Sequence, residues 1–121
     1  KELGVVDADK ADAIAAACDD ILAGKLDGNF PLAVWMTGSG TQFNMNVNEV
    51  VAHRAAAILK EKGKEQRIHP NDDVNHSQSS NDTFPTGLHM AGVLLIEQQL
   101  FPAMDAIYKA LHDKQEALRI S

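Results

Sequence analysis

The stretch Phe43-Asn44-Met45-Asn46-Val47-Asn48-Glu49-Val50-Val51-Ala52-His53-Arg54-Ala55-Ala56-Ala57-Ile58-Leu59-Lys60-Glu61-Lys62 decides the fold class. Val47, Val50, Val51, Arg54, Ala55, Ile58 and Leu59 trace one face at helical spacing, and Gly63 is placed to end the helix. Asn44 to Asn48 also alternates as a strand does, but only briefly, and the longer period governs. Three more helical patterns flank this one. Before it, about Asp7 to Ala23 carries Ile14, Ala17, Cys18, Ile21 and Leu22 at helical spacing, with Asp7 or Asp9 to cap it and Gly24 to stop it. After it, a third helix is predicted from near Asn81 to about Gln98. Pro85 is expected in its first turn, where N–H groups have no helical partner. A fourth is predicted from about Leu100 to Leu118. Its Leu100, Met104, Ile107, Leu111 and Leu118 form an a/d seam, with Lys114 at the polar position, and such a seam packs against partner helices at a shallow angle. The predicted class is all-α, mainly helices joined by irregular loops. Trp35 and Tyr108 are expected in the core or at its edge.

The chain has 121 residues, enough for one core. Eleven Lys and Arg against 17 Asp and Glu leave a formal charge of −6, which argues against a nucleic-acid or anionic-membrane partner, each of which needs a basic face. A small anionic ligand is not excluded, because it senses the local site. No apolar run approaches the ~20 residues needed to cross a bilayer. The single cysteine, Cys18, rules out an intrachain disulfide and fits a reducing compartment. None of the five histidines stands at the i, i+4 spacing of a helical metal site. The sequence opens without Met, and the fourth helix meets no stop signal after Leu118, so it reads as a piece of a longer protein.

Two polar loops lead into helices. The first is Thr37-Gly38-Ser39-Gly40-Thr41-Gln42. Its glycines let successive N–H groups converge, its hydroxyls add donors, and the helix behind it contributes partial positive charge. Read alone, it is first a plain turn with a Ser/Thr cap and second a cradle for a carboxylate or phosphate. It is not a P-loop, since no Lys-Ser or Lys-Thr closes it. The second runs from Ile68 through His69-Pro70-Asn71-Asp72-Asp73-Val74-Asn75-His76-Ser77-Gln78-Ser79-Ser80-Asn81-Asp82. It reads either as a solvated loop capped by Ser80 or Asn81, or as a second set of neutral donors at a helix N-terminus.

Taken together, the loops resemble the fumarase and aspartase superfamily. Trp35 to Val50 is similar to the first signature region of its class II fumarate hydratase branch. His69-Pro70-Asn71-Asp72-Asp73-Val74-Asn75, then Ser77 to Asp82 and Phe84-Pro85-Thr86, is similar to the second. The resemblance is dense from about Phe30 to Met90. The aspartate ammonia-lyase branch has Ala-Gly-Ala-Gly-Thr-Ser in the first loop, His where Asp73 stands, and Ser-Thr-Asn-Asp in the second, so all three places favour the fumarase branch. An ammonia-lyase-like enzyme and a non-enzymatic helical scaffold of the same superfamily are the alternatives.

The resemblance implies a helical-bundle fold, with residues 1–78 in an N-terminal lyase domain and 79–121 as the first helices of a central bundle. It implies reversible hydration of fumarate to (S)-malate with no metal or other cofactor, in a homotetramer. The expected location is the cytoplasm, or the mitochondrial matrix in a eukaryote. By matching position, Ser39, Gly40, Thr41, Ser79, Ser80 and Asn81 would bind substrate. His69, Pro70, Asn71 and Asp72 would form a secondary dicarboxylate site. An Arg common in the family three residues before that His is Gln66 here, with Arg67 one place later. The family's general base is a serine on a Gly-Ser-Ser loop with a Met-Pro-x-Lys-x-Asn motif. Neither stands in this sequence, so no catalytic residue is assigned and the chain alone is expected to be inactive.

Overall fold

The computed structural model describes residues 1–35 and 40–119. Among these, every regular element is a helix or a helical turn. Helix α1 spans Ala8–Leu22, α2 Thr41–Glu61, α3 Ser80–Leu95 and α4 Phe101–Arg119. A short 3₁₀ turn at Asp27–Asn29 and a wide π-type turn at Pro70–Val74 lie between helices, and a second wide turn, Ile96–Leu100, joins α3 to α4. The chain divides into two compact units, Lys1–Phe84 and Pro85–Ser121.

The first unit is built on α1 against α2. Asp7 caps α1 by accepting the N–H groups of Asp9 and Lys10, and Gly24 leaves it at φ +73°. The two helices run antiparallel, because their ion pairs meet in reverse order: Asp9 with Lys64 at 2.8 Å, then Asp20 with Arg54 at 2.8 Å. Their interface is small-residue packing, with Ala13 and Ala17 on α1 against Val51, Ala52, Ala55, Ile58 and Leu59 on α2, closed by Ile68. Alanines let the backbones approach closely. Leu59 is the one large side chain of this core that is fully buried.

The stripe on α1 differs from the predicted one. Cys18 and Leu22 face out, and the buried line is Ala13, Ala17 and Asp20, with Ile14 and Ile21 at its border. Asp20 accepts this burial because Lys25 and Arg54 both reach its carboxylate, at 2.6 and 2.8 Å; these bonds hold its pKa below the ordinary aspartate value. Trp35 is exposed and not a core residue.

In the second unit the predicted third and fourth helices are one helical run. The turn at Ile96–Leu100 is widened, with the Phe101 N–H bonded to the Ile96 carbonyl. Pro102 follows immediately and has no N–H to give, and widening the preceding turn relieves the clash that a proline ring makes inside a regular helix. Pro85 also sits deeper than expected, as the sixth residue of α3 rather than in its first turn, and it cannot donate to the Asn81 carbonyl. The seam residues Leu100, Met104, Ile107, Leu111 and Leu118 are all exposed, and Tyr108 is an exposed ring stacked on His112 rather than a core residue.

Leu59→Ala is expected to cost about 3 kcal/mol, since it empties the centre of the core. Leu22→Ala, on an exposed position, should change stability by less than ~0.5 kcal/mol. Urea denaturation of the chain checks both. Equal losses would mean that α1 packs through its predicted face after all.

Candidate functional site

Gly40 precedes α2 in the left-handed region, at φ +71°. Being glycine, it offers no side chain to cap the first turn of α2. Ser39, with Thr37 and Gly38, lies outside the described residues. Gly40 is buried, and a β-carbon there would collide with the Phe84 ring. Thr41 follows, and its Oγ1 lies 3.2 Å from Ser80 Oγ, the first residue of α3. The two polar loops therefore meet at the starts of two helices. Ser79, not Ser80 or Asn81, caps α3: its Oγ accepts the Asn81 N–H at 3.3 Å, and its carbonyl accepts the N–H groups of Asp82 and Thr83. Asp82, exposed in that first turn, offsets part of the positive end of the helix.

A net of amides holds the loops in place. Asn75 Oδ1 accepts from Asn44 Nδ2 at 3.3 Å and from Asn48 Nδ2 at 3.1 Å, while Asn75 Nδ2 donates to the Gln78 carbonyl. Thr83 Oγ1 donates to Asn44 Oδ1 at 3.0 Å. Sequence reasoning assigned none of these side chains to the site. The readable signal was the i, i+4 spacing of Asn44 and Asn48, which puts both on one face of a helix.

His69 belongs to a different cluster. Its Nδ1 accepts the N–H groups of Asn71 and Asp72, at 3.2 and 3.3 Å, and so caps the wide turn Pro70–Val74. With Nδ1 accepting, the ring carries its proton on Nε2, and the Asp72 carboxylate 3.4 Å from Nδ1 makes no ion pair in that tautomer. Only Nε2 remains to meet a ligand. The groove beside it is lined by Glu49, His53, Arg67, His69 and Pro70, so Arg67 and not Gln66 borders it.

Asp73, read in the sequence as a mark of one branch, is tied into the scaffold. Its carboxylate accepts the His69 N–H at 2.7 Å and Lys10 Nζ at 3.0 Å, which binds α1 to the turn. Burial pushes the Asp73 pKa up, but the His69 N–H and the Lys10 ammonium together outweigh it and leave the carboxyl below its ordinary value. Among the described residues, no group of three or more His, Cys, Asp or Glu comes together to hold a metal ion, and no helix is long and apolar enough to cross a membrane.

The starts of α2 and α3 thus approach each other through the Thr41 and Ser80 hydroxyls. The sequence model of the family described as "Lyase" matches residues 1–119, and the chain belongs to that lyase family. Within it, the chain is similar to proteins named fumarate hydratase class II. It is 65% identical over 117 residues to the one from Bacillus subtilis, covering 97% of this chain and 25% of that protein. It is 57% identical over 117 residues to the one from Bacillus anthracis, with the same coverage. It is 54% identical over 119 residues to the one from Haemophilus influenzae, covering 98% of this chain and 26% of that protein. The chain thus spans about a quarter of the length of the curated relatives it matches.

The lowered Asp73 value fixes a pH dependence. A carboxyl whose folded pKa is depressed adds stability that is fully present above the unfolded value, near 3.8, and is lost as pH falls through the lower folded value. Thermal melts of the chain from about pH 6 to about pH 2 should show this acid loss. Asp73→Asn should melt lower at neutral pH and lose less below pH ~4. An unchanged acid slope would mean that the contacts of the Asp73 carboxylate with the His69 N–H and Lys10 add no stability.

Proposed function

We propose that the chain is part of a class II fumarate hydratase, a cytoplasmic homotetramer that reversibly adds water to fumarate to give (S)-malate without a metal or other cofactor. In that enzyme residues 1–78 belong to the N-terminal lyase domain and residues 79–121 open the central helical bundle. Ser39, Gly40 and Thr41 from the first loop, with Ser79, Ser80 and Asn81 from the second, hold a substrate carboxylate. His69, Pro70, Asn71 and Asp72 form a secondary dicarboxylate site. The observation that carries the reading is the 3.2 Å approach of Thr41 Oγ1 to Ser80 Oγ, made by two loops that lie far apart in sequence. The relatives' name supports the choice of substrate.

The chemistry follows from where charge develops. In the direction of dehydration, a base removes the proton from the carbon beside a carboxylate, and the electron pair moves into that group as an aci-carboxylate. The electron pair then returns to form the double bond, and the hydroxyl on the neighbouring carbon departs, taking up a proton as it leaves to become water. Donors already aimed at the carboxylate bind this more negative group better than the ground state, as an oxyanion hole does. Hydroxyls and amides do so without making the site permanently cationic. The base itself is not among these residues, so the chain by itself leaves fumarate unchanged.

In the full-length enzyme, Thr41→Ala and Asn81→Ala should each cost about 3 kcal/mol of barrier, on the order of a hundredfold in turnover. His69→Ala should cost far less turnover and about 1 kcal/mol of stability, since it removes a cap. Steady-state kinetics with matched thermal melts check this. A well-folded His69→Ala enzyme as slow as Asn81→Ala would contradict the division into two sites.

The exposed seam from Leu100 to Leu118 supports the proposed assembly, because a continuous apolar stripe of that kind drives association. Sedimentation velocity of the chain at tens of micromolar should show self-association. A compact monomer would count against a seam-mediated tetramer.

A further inference from the structure

The geometry points to Phe84 as a positioning residue for the carboxylate-binding hydroxyls: its ring, seated on Gly40 and braced by Phe43, sets the separation of Thr41 and Ser80. This rests on the carboxylate-binding reading given above and adds to it a residue with no polar atom of its own.

Three observations carry it. First, a β-carbon built on Gly40 would meet Cγ and both Cδ atoms of Phe84. The ring therefore occupies the space where any other residue at position 40 would put its side chain. Gly40 is the residue immediately before Thr41, so what presses on Gly40 fixes where Thr41 begins. Second, Ser80 and Phe84 stand four residues apart on α3 and share one face, which is the face that meets the start of α2. A displacement of the ring carries the Ser80 hydroxyl with it. Third, the ring is held from behind. Phe43 meets it edge-on, with centroids 5.9 Å apart and planes at 68°, and Phe30 stands 6.5 Å beyond Phe43. The Thr83 to Asn44 hydrogen bond ties the same two segments beside the ring.

The ring thus acts as a spacer. Smaller side chains let the two helix starts close on each other, and without a flat face nothing matches the bare Gly40 backbone. Donors that stabilise a developing charge are sensitive to such shifts, and a displacement of about 1 Å costs on the order of a hundredfold in rate. Leu keeps much of the volume and loses the face, so a smaller loss is expected.

The test is steady-state kinetics on the full-length enzyme with fumarate, comparing Phe84→Leu, Phe84→Tyr and Thr41→Ala. Phe84→Leu should lower kcat about tenfold and leave KM within about twofold, because the spacing matters most where charge develops. Phe84→Tyr, which keeps the ring face, should restore kcat to within about twofold of the parent. Circular dichroism melts select variants that fold, and Phe84→Met carries the comparison if Phe84→Leu does not. Gly40→Ala should lose less when combined with Phe84→Ala than in the parent, since alanine lacks the Cγ and Cδ atoms that the new β-carbon would meet and only the strain at φ +71° remains. A Phe84→Leu enzyme with parental kcat, or with its loss confined to KM, overturns the positioning role if Thr41→Ala is still severely slowed. If Thr41→Ala itself keeps parental kcat, the carboxylate-binding reading falls, and this inference with it.

Discussion

One carboxamide, that of Asn75, decides how the loops of the first unit are arranged. Its oxygen receives two amide N–H groups from α2, those of Asn44 and Asn48, and its nitrogen donates to the Gln78 carbonyl. Asn48 is buried, and an amide donor left unpaired there costs about 1–3 kcal/mol. The polar loop must therefore lie along α2. Once it does, Ser80 arrives at the start of α2, and the Thr41–Ser80 approach follows. The site is thus a consequence of satisfying a buried polar group, and it needs no large apolar core beneath it. The core that exists is half alanine, with Val51, Ile58 and Ile68 around Leu59.

Charge is distributed with the same logic. Asp20 and Asp73 are each held by cations from another part of the chain, and both carboxyls lie below their ordinary pKa. These pairs fasten α1 to α2 and α1 to the turn after Ile68. Where the two loops meet, the contacts are instead made by hydroxyls and amides. Neutral donors suit a ligand that must be released as well as bound, since a fully ionic grip would hold ground state and transition state alike.

Much of the fold was legible from periodicity. The limits of α2 follow from its long apolar face and Gly63, and the start of α1 from Asp7. The α1 stripe was harder to read because its buried line is alanine and aspartate. Alanine carries little signal, and Asp20 is buried because Lys25 and Arg54 both hold it, Arg54 from 34 positions away. The union of α3 with α4 was not legible because the wide turn at Ile96–Leu100 shifts the helical period between them. For the site, the pairing of the two loops, seen in the approach of Thr41 to Ser80, was legible through family resemblance. Phe84 against Gly40, Asn75 against Asn44, and His69 turned inward as a cap were not. Each depends on a contact between segments, and no local pattern encodes it.

The wide turn at Ile96–Leu100 has a consequence for chain length. It fits one more residue into a turn than a regular helix does, so it stores a single-residue insertion without a loop. The apolar residues before it, Val93, Leu94 and Leu95, are rotated about the axis relative to the seam that starts at Leu100. At ordinary pitch and unchanged length, Val93, seven residues before Leu100, would lie within about 20° of the seam, while Pro102 would then press on a regular turn. The segment is a phase adjuster: it sets the bearing at which each half of this long helix meets its neighbours, and the proline keeps the adjuster from relaxing.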